Sequence, residues 1–140
     1  GKKQCGLCAA CLLRRLSMHA ADISEKPGTY VISDLSASDV NKALSVLPQK
    51  ADRDIMIEYG SVGARHLQQL ADMADLPDGE LRVHVSEIAA ATGTDYEETL
   101  EKVRTLLVTH AQEWRAFLSA QGEQSFLKSW MEGGRHGRSE

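Results

Sequence analysis

The chain has 140 residues, of which 42% are hydrophobic and 26% are charged, and 16 basic against 20 acidic side chains give a net charge of −4. This composition is typical of a soluble globular protein, and no apolar run approaches the roughly 18 residues of a membrane span, so no membrane partner is expected. The three cysteines form one cluster, which argues against a disulfide framework and favours a reducing, cytoplasmic location.

A cysteine motif comes first, in the stretch GKKQCGLCAACLLRR, where Cys5, Cys8 and Cys11 lie three residues apart. Zinc prefers four ligands in a tetrahedron, and a C-x2-C loop supplies two thiolates from one tight turn. Gly6 lets that turn curl towards the sulfur atoms, and Cys11 joins from the start of the following helix. The motif therefore predicts a structural zinc site with Cys5, Cys8 and Cys11 as ligands, one short of a complete set.

Other interpretations of these thiols remain open. An iron–sulfur cluster of the ferredoxin type would need a fourth cysteine where Arg15 stands, and a redox C-x2-C pair would need a βαβ context. Buried or incidental thiols are a further alternative. His19 could serve as a substitute ligand only if its helix folded back on the motif.

The cysteine motif also resembles a known family. Cys5-Gly6-x-Cys8-x-x-Cys11-Leu12-Leu13-Arg14, followed by Pro27-Gly28-Thr29-Tyr30, is similar to the zinc cassette of 7-cyano-7-deazaguanine synthases, the QueC-like ATP-dependent enzymes of queuosine biosynthesis. The resemblance implies that the zinc is structural and that a fourth cysteine ligand lies upstream. Members of that family carry an ATP-binding domain with an SGG-type pyrophosphate loop. No such loop exists in this sequence, so the resemblance implies that the domain lies upstream.

On this resemblance, we expect the C-terminal part of a QueC-like enzyme that converts a 7-carboxy-7-deazaguanine-type acid to an amide or nitrile. The enzyme would belong to the queuosine or 7-deazapurine pathway or to a related defence system. This chain alone is not expected to be catalytic. Arg14 is expected to contact substrate or the upstream catalytic domain, which is the main expected partner.

An alternative is a stand-alone helical interaction module with a partial zinc knuckle and no catalysis, and a homodimer is compatible with either interpretation. Direct nucleic-acid binding is not expected, because residues 75–101 contain eight acids and only one lysine or arginine, Arg82. These acids are Asp75, Asp78, Glu80, Glu87, Asp95, Glu97, Glu98 and Glu101.

After the cysteines, residues 9–21 have helical spacing, and residues 29–32 form the one extended run, which is too little for a sheet. A brief helix capped by Ser36 or Ser38 is expected to end before Pro48. Each assignment rests on local spacing and turn residues.

A long helix is predicted over residues 54–74, with a bend or break near Gly60, because each glycine costs a helix about 1 kcal/mol relative to alanine. A helix with a single apolar stripe should follow Pro77 and end at Gly93.

The clearest helix pattern begins at Thr94-Asp95-Tyr96-Glu97, which matches a capping box, and extends to about residue 120. Its apolar stripe consists of Leu100, Val103, Leu107, His110, Trp114 and Phe117. His110 is expected to be a core or groove histidine with one hydrogen bond and not a catalyst. A short amphipathic helix follows, and one aromatic core cluster is expected from Trp114, Phe117, Phe126 and Trp130, with a partner-binding groove as the alternative.

The predicted fold class is all-α, a helical bundle with an N-terminal cysteine knuckle. The expected division is a zinc-cassette segment over residues 1–34, a helical extension over residues 35–132 and a flexible tail over residues 133–140.

Overall fold

The computed structural model describes residues 2–132, which form six α-helices and no named strand. The helices are α1 Ala9–Ala20, α2 Val40–Ala43, α3 Lys50–Asp72, α4 Asp78–Thr92, α5 Tyr96–Gln121 and α6 Phe126–Glu132, with 3-10 turns at Leu44–Val46 and Met73–Asp75. The predicted all-α fold with a cysteine knuckle is confirmed. The predicted tail at 133–140 lies outside the described residues.

The main core lies where α1, α3, α5 and α6 meet: α3 packs against the other three, and α1 also contacts α5. Its largest fully buried side chains include Trp114 of α5 and Phe126 of α6. Leu7, Leu12 and Leu16 bring the cysteine segment into this same core. The segment that carries the thiols is therefore anchored on the bundle by apolar contacts.

The predicted extended run at 29–32 forms a single parallel bridge between Gln4 and Tyr30 and not a strand. Around this bridge, the Val31 amide donates to the Gln4 carbonyl at 2.8 Å and the Ile32 amide donates to the Cys5 carbonyl at 3.0 Å. The run is too short to pair further, but it ties the cysteine loop to the segment after α1.

The cap predicted for α2 at Ser36 or Ser38 is wrong, because Asp39 occupies the N-cap and accepts a hydrogen bond from the Asn41 amide at 2.8 Å. Asp39 is adjacent to the first helical residue and is therefore better placed to cap the helix. Ser36 instead donates its amide to the Asp34 carboxylate at 2.8 Å, in the preceding turn.

Of the bend or break predicted near Gly60, the break is wrong, because α3 is continuous from Lys50 to Asp72. A Cβ atom at Gly60 would lie 2.7 Å from Cγ of Leu7, and one at Gly63 would lie 2.8 Å from Cα of Ala9. Both glycines are buried in the contact with the cysteine segment, so their role is close packing.

The two helices that follow are close to prediction. Gly93 ends α4 in the left-handed conformation, with φ of 68°. The cap of α5 is Asp95 and not Thr94, since the Asp95 carboxylate accepts from the amides of Glu97 at 3.0 Å and Glu98 at 3.2 Å. Leu107 lies in a second, smaller core cluster that α4 and α5 share.

The predicted aromatic core cluster is confirmed, and His110 is half-buried and makes the expected hydrogen bond. Trp114, Phe117 and Phe126 belong to the main core, and Trp130 packs against it. Nε2 of His110 lies 2.9 Å from the Leu67 carbonyl oxygen, so its ring is held between α3 and α5 by a hydrogen bond.

None of the helices within residues 2–132 is both long enough and apolar enough for a membrane span.

Candidate metal centre

The cysteine loop folds tightly because of Gly6, whose φ is +88°. A Cβ atom at this position would lie 2.8 Å from Cβ of Tyr30 and would also collide with the Ile32 carbonyl oxygen. Only glycine combines this conformation with this close approach, as the sequence predicted for the turn. The turn brings Cys5 next to Cys8, which is the residue before the first turn of α1.

The three predicted ligands come together. Their Sγ atoms all lie within 4.8 Å of one another, and those of Cys5 and Cys11 are 3.5 Å apart. A tetrahedral zinc ion with Zn–S bonds of about 2.3 Å holds its sulfur ligands about 3.8 Å apart. The spacing of the thiols therefore fits such an ion with small side-chain adjustments. No other His, Cys, Asp or Glu in the described part of the chain joins this cluster.

The thiols have different acidities because their surroundings differ. Burial on its own would raise the pKa of Cys5, but hydrogen bonds from the amides of Leu7 and Cys8 and from the Cys8 and Cys11 thiols leave that pKa below its ordinary value. Burial raises the pKa of Cys11 to about 11, and the neighbouring Cys5 and Cys8 add to this rise. Of these two thiols, Cys5 is thus the one whose thiolate is favoured.

Arg15 holds the site together, a role that sequence analysis missed. Its Nη1 donates to the carbonyl oxygens of Gly6 and Ile32, each at 3.1 Å, and its Nη2 donates to that of Ser33 at 2.6 Å. The guanidinium also lies 4.6 Å from the ring centroid of Tyr30, and its side chain is only 11% exposed.

A carboxylate completes this arrangement. Glu25 lies 3.6 Å from Nε of Arg15 and accepts a hydrogen bond from the hydroxyl of Tyr30. Burial and the negative charge of Glu25 raise the pKa of Tyr30, so its hydroxyl stays protonated. The sequence contains one indirect indication of the role of Arg15, which is an arginine in the first two turns of a helix that begins at a cysteine motif.

Arg14 and His19 lie elsewhere on α1. Arg14 is exposed at the surface, where its positive charge opposes the rise in the Tyr30 pKa. Its predicted contact with substrate or with another domain stays a prediction. The ring of His19 packs edge-on against Phe117 with a centroid distance of 5.8 Å, and His19 is not in the thiol cluster.

Beside the thiols, an open groove of about 440 Å³ runs between the start of α1 and α3. Cys8 and Ala10 line one side, and Tyr59, Val62 and His66 line the other. Tyr59 is 58% exposed. The thiol cluster therefore borders a partly apolar surface.

Comparisons with protein-family models, with curated proteins and with solved structures find no match to this chain.

Proposed function

We propose that Cys5, Cys8 and Cys11 hold a structural zinc ion that fixes the N-terminal loop to the start of α1. The observation that carries this proposal is the convergence of three Sγ atoms within 4.8 Å of one another. Thiolate ligands at C-x2-C spacing favour zinc over harder cations such as magnesium or calcium. A bound zinc ion would supply a crosslink between a loop and a helix.

The protein's own residues prepare this crosslink. Gly6 sets the turn, the Cys8 amide lies 3.4 Å from Sγ of Cys5, and Arg15 binds the backbone of the loop on the other side. Amide hydrogen bonds to sulfur and an arginine that fixes the backbone are the kind of outer contacts that orient metal ligands. They support a structural site with little freedom in its ligands.

A test of the zinc proposal is the metal content of purified protein and its affinity by competition with a chromophoric chelator. The wild-type protein should bind one zinc ion per chain, and each of Cys5→Ser, Cys8→Ser and Cys11→Ser should lose most of that affinity. His19→Ala, on the same helix but against Phe117, is the matched control and should bind zinc as the wild type does. Equal zinc binding by the wild type and the three serine variants would refute the proposal.

For the full-length protein, we propose that this chain is the C-terminal part of a QueC-like ATP-dependent enzyme acting on a 7-carboxy-7-deazaguanine-type acid. Its support is the cysteine motif with Arg14 and the segment at Tyr30. In that setting the zinc site is structural, ATP is bound by an upstream domain, and Arg14 faces that domain or the substrate.

The coding sequence upstream of this chain tests the wider proposal. It should encode a pyrophosphate loop and one further cysteine, and the full protein should consume ATP in the presence of a 7-carboxy-7-deazapurine. Absence of both sequence features would reject the QueC-like setting and leave the zinc proposal unaffected.

The groove beside Cys8 favours one alternative, a helical interaction module without catalysis. Its exposed Tyr59 and Val62 provide an apolar surface next to the thiols. If that alternative holds, the full protein should retain zinc and a binding partner but show no ATP consumption with any 7-deazapurine acid.

A further inference from the structure

The helical hairpin of α4 and α5 carries an apolar groove on its outer face. The groove has a volume of about 300 Å³, and its lining consists of Ile88, Thr92, Thr94, Thr99, Lys102, Val103 and Leu106. Leu106 is 69% exposed and Ile88 is 42% exposed. Among the large apolar side chains of the described residues, Leu106 is the most exposed.

Leu106 also borders a second, shallow depression, whose lining residues all belong to α5. The other residues that line it are Glu98, Glu101, Lys102, Thr105 and Thr109. Leu106 and Lys102 are thus shared by two adjoining depressions, and the one on α5 also contains Glu98 and Glu101. Such an arrangement suits a helix whose side chains enter both depressions along the length of α5.

Acids outnumber bases on the hairpin, since residues 78–121 carry eight acids and four lysine or arginine residues, of which Lys102 lines both depressions. Asp78 pairs with Arg104 at 2.5 Å and Glu98 pairs with Lys102 at 2.6 Å, so these local acids are partly neutralised. Six other acids of the hairpin make no ion pair within residues 2–132, namely Glu80, Glu87, Asp95, Glu97, Glu101 and Glu113. The uncompensated negative potential attracts a cationic partner and repels nucleic acid and anionic membranes.

We infer that the outer face of the α4–α5 hairpin docks a basic amphipathic helix of a partner protein. Its apolar residues, at helical spacing, cover Leu106 and Ile88, and a lysine or arginine residue lies beside Glu101, which lines the second depression. The docked helix would pack on α4 and α5 as the third member of a small bundle. This surface is separate from the thiol site, so the inference does not depend on zinc.

The test uses a fluorescein-labelled probe peptide of about 14 residues, with leucine at positions i, i+3, i+4 and i+7 and lysine elsewhere. Binding to the wild-type protein is followed by fluorescence anisotropy. Leu106→Ser should weaken binding about tenfold, because it removes the central apolar contact. Glu101→Lys should also weaken it, and raising salt from about 50 to about 300 mM should reduce affinity.

Two controls separate docking from general attraction between opposite charges. Val83→Ser removes a side chain of α4 that is 64% exposed but lines neither groove, so this variant should bind as the wild type does. A peptide with glutamate in place of lysine should not bind. Circular dichroism of each variant checks that the helices are intact.

Several results would overturn the inference. They are no binding of the lysine peptide, equal binding by the wild type, Leu106→Ser and Val83→Ser, and equal binding of the two peptides.

Discussion

Arg15 lies on α1 and binds two other chain segments, the cysteine loop and the stretch that follows Tyr30. Its five N–H donors form a rigid planar fork, which is why one side chain can serve the carbonyl groups of Gly6, Ile32 and Ser33. A lysine would carry the same charge but would lack the fork and the flat face that stacks on Tyr30. The geometry of the loop should therefore depend on this residue more than on any other positive charge near the thiols.

We expect Arg15→Lys to lower the affinity for zinc by about tenfold or more, because residues that orient metal ligands usually contribute that much. Chelator competition on purified variants measures the change. Arg14→Lys is the matched control, since Arg14 is the exposed neighbour on the same helix, and it should leave zinc affinity unchanged. Equal affinities for the two variants would contradict the role given to Arg15.

Among the elements, α3 shows how glycines can serve a helix in spite of their low helix propensity. Gly60 and Gly63 lie one turn apart and allow Leu7 and Ala9 to approach the helix axis. The loss of helix propensity is offset by the burial of Leu7, which is fully buried in the main core.

Gly60→Ala and Gly63→Ala should each destabilise the protein, although alanine favours an isolated helix by about 1 kcal/mol. The added methyl group would overlap Leu7 in one variant and the backbone of Ala9 in the other. Chemical denaturation measures the free energy of unfolding. Gly79→Ala in α4 is the control, because nothing lies within 4 Å of its added Cβ atom and this variant should be neutral or stabilised.

A second prediction concerns the pair of adjacent leucines on α5. Leu107 is 4% exposed in the small cluster with Leu81 and Val85, whereas Leu106 points outwards. Leu107→Ala should cost about 2 to 4 kcal/mol of stability by leaving a cavity. Leu106→Ala should change stability by no more than about 0.5 kcal/mol. Similar unfolding midpoints for the two variants would show that the assigned helix face is wrong.

Sequence periodicity predicted the helices well because their buried positions repeat every three or four residues, as in the stripe that includes Leu107, Trp114 and Phe117. The three thiols were predicted for a similar reason, since the motif is contained in seven consecutive positions. The continuity of α3 at Gly60 was not predictable, because its cause is a contact with Leu7. The role of Arg15 was hidden likewise, because its acceptors Ile32 and Ser33 lie 17 and 18 residues away.

For the molecule as a whole, the position of the thiols predicts what metal removal does. Cys5 and Cys8 are half-buried at the edge of the fold, whereas Leu7, Leu12 and Leu16 belong to the main core. A core of this size does not need metal in the way that a small zinc finger does.

A chelator should therefore lower the thermal midpoint while the helical circular dichroism signal at room temperature persists. The Cys11→Ser variant, which removes one ligand, should show a smaller change on chelator addition than the wild type. Loss of the helical signal on chelation would show that the metal organises the entire fold.

The small cluster formed by Leu81, Val85 and Leu107 determines how easily α4 opens locally. It touches the main core at Ala74, which packs against both clusters, and few apolar contacts hold α4 in place. Elements with so few buried contacts open locally at a lower free energy than the core helices.

In native-state hydrogen exchange, the amides of α4 should therefore lose protection before those of α1 and of the central turns of α3. Mass spectrometry of deuterated peptides from residues 78–92 and 9–20 measures this order. Uniform protection across the two peptides would mean that the hairpin opens only when the whole chain unfolds. The expected order means that α4 opens independently of the core helices. A molecule bound across the hairpin should therefore slow hydrogen exchange at the amides of α4 before it affects the other helices.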